Sequence, residues 1–319
     1  WLKKAAEGPT LEMATGMEAF VVPRGHQSAV QVHGVAHGVA PATAKPGFWS
    51  SKSQALGAFA AAFLSLAPGL RRSRRRLALK GWGDDVSFFD SSVKSNVEAA
   101  DGLRLITIEA PEEVSSPYQR AGQFVQAKEE EDSKASFYAI SSAPGGDLEF
   151  LIKEAASNDW ITATKGGDLV KLSPAMGKGF DTDCQAWKDA EVSQVSLFAT
   201  GSGISPMRAL IESKALSGKV CRLYYGAREE GNLAYANRFD KWRQRGIEII
   251  PVLSKGDDSW QGRRGYVQEV MKEDEERGEG FVLSAKHGAV LCGQKDMVTA
   301  VRAIYAELGV PEERTLLNF

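Results

Sequence analysis

The chain has 319 residues, enough for two domains with cores of their own, and an ordinary globular composition with 43% hydrophobic and 25% charged residues. Its formal net charge of −2 is unevenly spread: residues 1–83 carry 11 basic and 3 acidic residues, and the remainder 28 against 38, which argues against a nucleic-acid partner and its basic footprint. Cys184, Cys221 and Cys292 fit no zinc, iron–sulfur or disulfide spacing, and His287 is the single histidine beyond residue 83, so histidine-based triads and metal sites have little to rest on.

In chain order, no acidic residue occurs from Ala19 to Gly83. This Ala-, Gly-, Ser- and Arg-rich segment has no steady period and reads as an organelle-targeting or disordered presequence, residues 1–83, removed near Leu77–Asp84. The apolar run Ala55–Ala67 ahead of Arg71–Arg76 resembles plastid transit signals; a mitochondrial address is the weaker alternative. As a helix at ~1.5 Å per residue the run reaches about 20 Å, short of a ~30 Å hydrocarbon core, so no stable membrane span is expected.

From residue 84 to 187 the texture is short strands separated by glycine turns. Leu103–Ile108, Gln123–Ala127, Ser136–Ser141, Leu148–Lys153 and Asp168–Leu172 form the set, with a short helix at Ser157–Thr164. Strands at this spacing predict a small closed antiparallel barrel. From residue 188 to 319, strands and helices alternate: Val192–Thr200, Val220–Tyr225, Ile247–Leu253 and Ala289–Cys292 as strands, with Ser205–Leu216, Leu233–Gly246, Tyr266–Lys272 and Lys295–Leu308 as helices. Such alternation predicts a doubly wound parallel sheet. The charge run Glu273–Glu279 reads as a solvated loop.

Within the second half, Val195–Thr200 runs into Gly201-Ser202-Gly203-Ile204-Ser205-Pro206 and a helix. A strand, a glycine turn and a helix N-terminus make a seat for a diphosphate, with exposed N–H groups and the positive helix end facing the anion; Arg208 offers an added charge. Taken alone, the turn is equally a plain strand-to-helix connection.

Six motifs in order then resemble the ferredoxin–NADP reductase superfamily, in particular its plant and algal fruit-protein-like branch: Ala121-Gly122-Gln123-Phe124, Phe137–Ser142, Ser157-Asn158, Gly201–Arg208, Tyr225–Arg228 and Leu291–Met297, with an aromatic C-terminus at Phe319. The resemblance implies a β-barrel that binds FAD, followed by a sheet that binds NADP(H) or NAD(H). It implies Tyr138, Cys292 and Phe319 at the reacting rings. It implies Gln123, Ala139, Ile140, Ser141, Lys153 and Ser157, beside Tyr138, as flavin contacts. Gly201, Ser202, Gly203, Ile204, Pro206, Arg208, Gly226, Arg228, Gly293, Gln294 and Met297 fall to the nicotinamide dinucleotide.

Several of these residues have a plainer reading. Tyr138 is equally a barrel-core aromatic, Cys292 a small buried hydrophobe, Lys153 an exposed strand-end lysine and Phe319 part of a packed C-terminal strand. Arg228 favours a 2′-phosphate, while Glu229 and Glu230 favour NAD. The chain also departs from the family: Ser136 stands where the resemblance implies a phosphate-binding arginine, Ala139 where it implies a serine near the flavin, and Gln294 where it implies a proline. The expected function is a flavin-dependent NAD(P)H oxidoreductase with an unidentified electron acceptor; the rival is a nonenzymatic nucleotide-binding or assembly module.

Overall fold

In the computed structural model the described residues are 86–279, 281 and 286–318. The presequence reading of residues 1–83 lies outside them. Six antiparallel strands come first: β1 (Phe89–Ala100), β2 (Leu103–Glu109), then after α1 (Glu112–Ser115), β3 (Phe124–Lys128), β4 (Ser136–Ala139), β5 (Leu148–Lys153) and, after α2 (Asp159–Thr162), β6 (Leu169–Leu172). They run in the order β4-β3-β6-β1-β2-β5. A bridge between Ile140 and Phe150, with Ser141 N donating to Glu149 O at 2.7 Å, joins the two outer strands and closes the barrel. Closure removes the unpaired edges that an open sheet would expose.

The alternation that marks these strands is what fills the barrel. Ile106 and Ile108 of β2, Val125 and Ala127 of β3, and Leu148, Phe150 and Ile152 of β5 all turn into one buried cluster. β1 is the strand that sequence reasoning missed. Its residues Phe89–Ala100 include Asp, Lys, Glu, Asn and three serines, so hydrophobic alternation is faint. Register shifts between Val93 and Ser95 and between Glu98 and Ala100 let it pair along all of β2 and, at its start, with β6. Such bulges bend a long strand around a small barrel.

After α3 (Gln185–Asp189) the chain builds the second sheet: β7 (Gln194–Thr200), α4 (Ile204–Glu212), β8 (Val220–Ala227), α5 (Phe239–Gln244), β9 (Ile247–Leu253), β10 (Arg263–Arg264), α6 (Val267–Arg277), β11 (His287–Cys292), α7 (Lys295–Glu307) and β12 (Thr315–Leu317). All its pairings are parallel, in the order β10-β9-β8-β7-β11-β12. Each central strand is buried on both faces, as parallel sheets require. Val195, Leu197 and Leu223 pack toward α4 and α5, while Phe198, Tyr224 and Leu291 pack toward α6 and α7. The expected fold class, an antiparallel barrel followed by a doubly wound parallel sheet, is what the chain forms. No helix among the described residues is long and apolar enough to cross a membrane.

Two sequence expectations are corrected. Glu273–Glu279 is not a loop: α6 runs on to Arg277 and stops at Gly278, whose φ of 69° makes a left-handed cap. The run hides a buried carboxylate, because Asp274 accepts hydrogen bonds from Tyr224 Oη at 3.1 Å and from Arg263. The helix expected over Leu233–Gly246 is interrupted instead; Tyr235, at φ 62°, turns the chain before α5 begins at Phe239.

His287 sits fully buried at the start of β11, its Nε2 3.1 Å from Tyr305 Oη. Burial lowers its pKa to about 4, and Arg314 pushes the same way. The unfolded imidazole takes a proton near pH 6.5, which the folded one refuses until about pH 4. Stability present above pH 6.5 is therefore lost as pH falls through that window, by roughly 3 kcal/mol. Urea unfolding between pH 7 and 4 should show a flatter pH dependence in His287→Gln, by about that amount, than in the parent chain.

Candidate functional site

The strand order reverses direction at β7. From its carboxyl end the chain proceeds to β8 on one side, and later returns to place β11 on the other. Open parallel sheets receive ligands in the crevice outside such a reversal. Here the crevice is lined by the turn Gly201-Ser202-Gly203 after β7 and by Gly293-Gln294 after β11, with the first turns of α4 and α7 behind them.

The two loops touch. A Cβ on Gly203 would lie 2.3 Å from Cys292 O and 2.8 Å from Gly293 Cα, and one on Gly293, at φ 148°, would lie 2.1 Å from Thr200 Oγ1. Only glycine permits this approach. Thr200 Oγ1 accepts the Gln294 N–H at 2.9 Å, and the buried Tyr225 hydroxyl donates to Gly201 O at 3.3 Å while accepting the Ala234 N–H at 3.1 Å. Sequence reasoning passed over Thr200 and the Tyr225 hydroxyl; a polar β-branched residue at the last position of a buried strand was the signal available. Ser202 and Gln294 are exposed at the mouth, Gly201 is half-buried, and Ile204 and Pro206 are buried in the first turn of α4. Gly226 closes β8 against Thr200 and Val267.

Cys292 is buried, and burial pushes its thiol up to about 12. It is a neutral, apolar part of the wall, with no thiolate to attack a ligand. Met297 is 4% exposed within the sheet cluster and supports the Gly293 loop from beneath. Arg208 is 4% exposed and bonds Glu149 of the barrel through Nη2 and Glu212 through Nε, the latter at 3.2 Å, while its buried Nη1 has no hydrogen-bond partner among the described residues. Arg228, by contrast, stays exposed at the end of β8, with Lys255 and Arg264 exposed beyond the neighbouring strand ends.

On the barrel, Gln123 lies buried just before β3. Its Oε1 accepts the N–H groups of Gln119 and Arg120, and its Nε2 donates to Pro117 O and Gly177 O, so the side chain braces its own loop. Tyr138 is 9% exposed, packs with the barrel core and donates its hydroxyl to Asn158 Oδ1 at 3.1 Å. The more open aromatic of β4 is Phe137, 56% exposed and edge-on to Phe124. Ile140 is fully buried in the barrel core.

Asn158 also donates to Lys153 O at 3.0 Å, which gathers Tyr138, Lys153 and Ser157 at one rim, the last two exposed. Ser141 is fully buried and its Oγ has no partner among the described residues. Ala139 presents its carbonyl to Ser205 Oγ of α4 at 3.1 Å. That bond puts the end of β4 against the first turn of the phosphate-seat helix. Phe319 lies outside the described residues. No cluster of three or more His, Cys, Asp or Glu able to hold a metal is found among the described residues.

Residues 197–303 match the oxidoreductase NAD-binding domain family. The chain is 32% identical over 211 residues to fruit protein pKIWI502 of Actinidia deliciosa, covering 62% of this chain and 65% of that protein, which is just under two thirds of its length. It is 31% identical over 188 residues to ferredoxin–NADP reductase B of Sorangium cellulosum, covering 55% of this chain and 74% of that protein. Among solved structures, a ferredoxin–NADP⁺ reductase from Neisseria gonorrhoeae with bound FAD and NADP superposes with a TM-score of 0.60 at 17% identity, covering 73% of this chain and 99% of that one. The Amycolatopsis cytochrome P450 reductase GcoB gives 0.60 at 20% identity over 73% of this chain and 70% of that one. These two structural likenesses carry the fold.

A methyl group at Gly203 has nowhere to go, because what it meets is backbone. Gly203→Ala should lower unfolding free energy by roughly 2–3 kcal/mol and weaken dinucleotide binding, measured by urea unfolding and calorimetry. Gly201→Ala meets open space and carries only the cost of its φ of 52°, about 1 kcal/mol.

Proposed function

The chain belongs to the ferredoxin–NADP reductase superfamily, and from that premise we propose that it is a flavin-dependent NAD(P)H oxidoreductase delivering electrons to a separate acceptor. Residues 84–187 serve as the FAD half and 188–319 as the nicotinamide half. The observation that carries the reading is the Ser205–Ala139 hydrogen bond, because it gives the barrel strand and the dinucleotide turn a common wall. FAD, when bound, supplies the chemistry: it accepts a hydride from nicotinamide and passes the electrons on.

The residues present fit both groups. The N–H groups of the Gly201–Gly203 turn and of α4 take the dinucleotide diphosphate, helped by the open space beside Gly201. Cys292 and Gly293 flank the nicotinamide without a charge that would distort it. On the barrel, Lys153 and Ser157 offer a cation and a hydroxyl to the flavin diphosphate at the rim that Tyr138 and Asn158 organise. Lys153 then stands in for the arginine that Ser136 lacks. Phe137, with Phe124 beside it, supplies an apolar surface. The roles of all these side chains are orientation and exclusion of water; no proton relay is required.

We take NADPH as the favoured donor. Arg228 is free to meet a 2′-phosphate, with Lys255 and Arg264 at the adjoining strand ends. Glu229, which would favour NADH, has its carboxylate engaged in capping the turn at Glu230–Asn232. The acid-free, arginine-bearing segment before residue 84 supports a plastid location.

An anaerobic titration with NADPH and with NADH, following the flavin absorption band, tests the proposal. The purified protein should be yellow and bleach, with NADPH the more efficient. A protein that stays colourless and binds no added FAD would overturn it; nucleotide binding without bleaching would favour the assembly-module reading instead. Arg228→Ala should raise the Kd for NADPH about tenfold or more and leave NADH within about twofold, the loss of one charge-assisted phosphate contact.

A further inference from the structure

Arg208 lies five residues into α4 and leans away from the sheet toward the barrel. Its Nη2 donates to Glu149 of β5, its Nε donates to Glu212 Oε2 one helical turn on at 3.2 Å, and its guanidinium covers the ring of Tyr235 at 4.9 Å. Tyr235 reaches that position through its left-handed backbone, φ 62°, a conformation that non-glycine residues rarely adopt. Glu212 is held in turn by Arg238 Nη1 and Trp242 Nε1, each at 3.0 Å. A buried ionic network thus crosses the seam between barrel and sheet.

Elsewhere the seam is an apolar cluster flanked by hydrogen bonds, from Ser205 Oγ to Ala139 O at 3.1 Å, from Asp101 N to Gly231 O at 2.8 Å and from Asn232 Nδ2 to Asp101 O at 3.2 Å. Leu103, Leu151 and Phe180 of the barrel half join the same cluster as Val195, Leu197 and Met207 of the sheet half. Apolar contact is non-directional, so it holds the halves together without fixing their register. A desolvated arginine–carboxylate pair has the opposite character. Its desolvation cost cancels much of its Coulomb gain, but its geometry is narrow. Glu149 lies between Leu148 and Phe150 on β5, and its carbonyl accepts the Ser141 N–H at 2.7 Å just beyond the end of β4. The pair therefore connects the strand end carrying Tyr138–Ser141 with the helix that follows Gly201–Gly203.

We propose that the Arg208–Glu149 pair is a positioning lock: it sets the register of barrel against sheet, and so the approach of nicotinamide to flavin, without touching either. This inference rests on the oxidoreductase reading for its kinetic consequence, but its structural consequence stands apart from it.

The test compares the parent chain with Glu149→Gln, Glu149→Leu, Arg208→Met and the double variant Glu149→Leu/Arg208→Met. Spin labels at Lys134→Cys and Lys241→Cys, in a Cys184→Ser background, report the distance between the halves with and without FAD. Single-turnover flavin reduction against NADPH concentration separates the limiting rate from Kd. The single apolar variants should be destabilised, Glu149→Leu because the buried Arg208 keeps only Glu212 as a partner and Arg208→Met because Glu149 loses its cation, and the double variant should recover most of that stability. The lock requires that the double variant nevertheless shows a broadened label distance and a limiting rate about tenfold lower, with Kd within about twofold. A double variant with the parent's narrow distance and rate would overturn it. If the double variant does not fold, Glu149→Gln, which keeps shape and an acceptor but no charge, decides by the same two readouts. If the parent chain shows no flavin reduction, the oxidoreductase reading fails, and the label distances alone judge the lock.

Discussion

The approach of Gly203 to the Cys292–Gly293 backbone is the constraint on which the rest depends. It brings the ends of β7 and β11 to van der Waals distance where the sheet changes direction, and it leaves no room for a side chain. Thr200 then closes the gap with a hydrogen bond to Gln294 N, and Tyr225 holds the far side through Gly201 O. With the turn fixed, the axis of α4 is fixed. That axis decides which residues meet the barrel: Ser205 reaches Ala139, and Arg208 reaches Glu149. The crevice and the seam between the halves are consequences of one packing contact.

The sequence made the architecture legible where hydrophobic periodicity is strong. β5 and β9 lie where alternation and apolar runs put them, and α7 differs at its end by one residue. It failed where pattern and packing part company. β1 is polar because much of its length is partly exposed, so only its pairing on both sides identifies it. The second half of α6 looks like a solvated charge run, yet Asp274 inside it is satisfied by Arg263, outside the helix, and by Tyr224, 50 residues away in sequence. No local pattern carries that information.

The candidate site divides in the same way. Glycines whose need is steric, Gly203 and Gly293, were readable because few other reasons place glycine at both strand ends. Polar side chains were not, because their partners decide their role. Gln123 braces a loop through four backbone groups, and Arg208 binds Glu149 across the seam and Glu212 in its own helix. Tyr138 and Met297 are of residue types equally suited to a ligand and to a core, and burial alone separates the two. Ser202 and Gln294 at the crevice mouth, Arg228 at the end of β8, and Lys153 and Ser157 at the barrel rim stay exposed.

The central claim is that the reversal point between β7 and β11 receives the nicotinamide dinucleotide. Amide hydrogen exchange with saturating NADP⁺ tests it most directly. The account requires protection concentrated at residues 201–205 and 293–295, the two loops that line the crevice. Protection centred instead on the groove of Arg222, Glu248 and Arg263, with residues 201–205 unchanged, would contradict it.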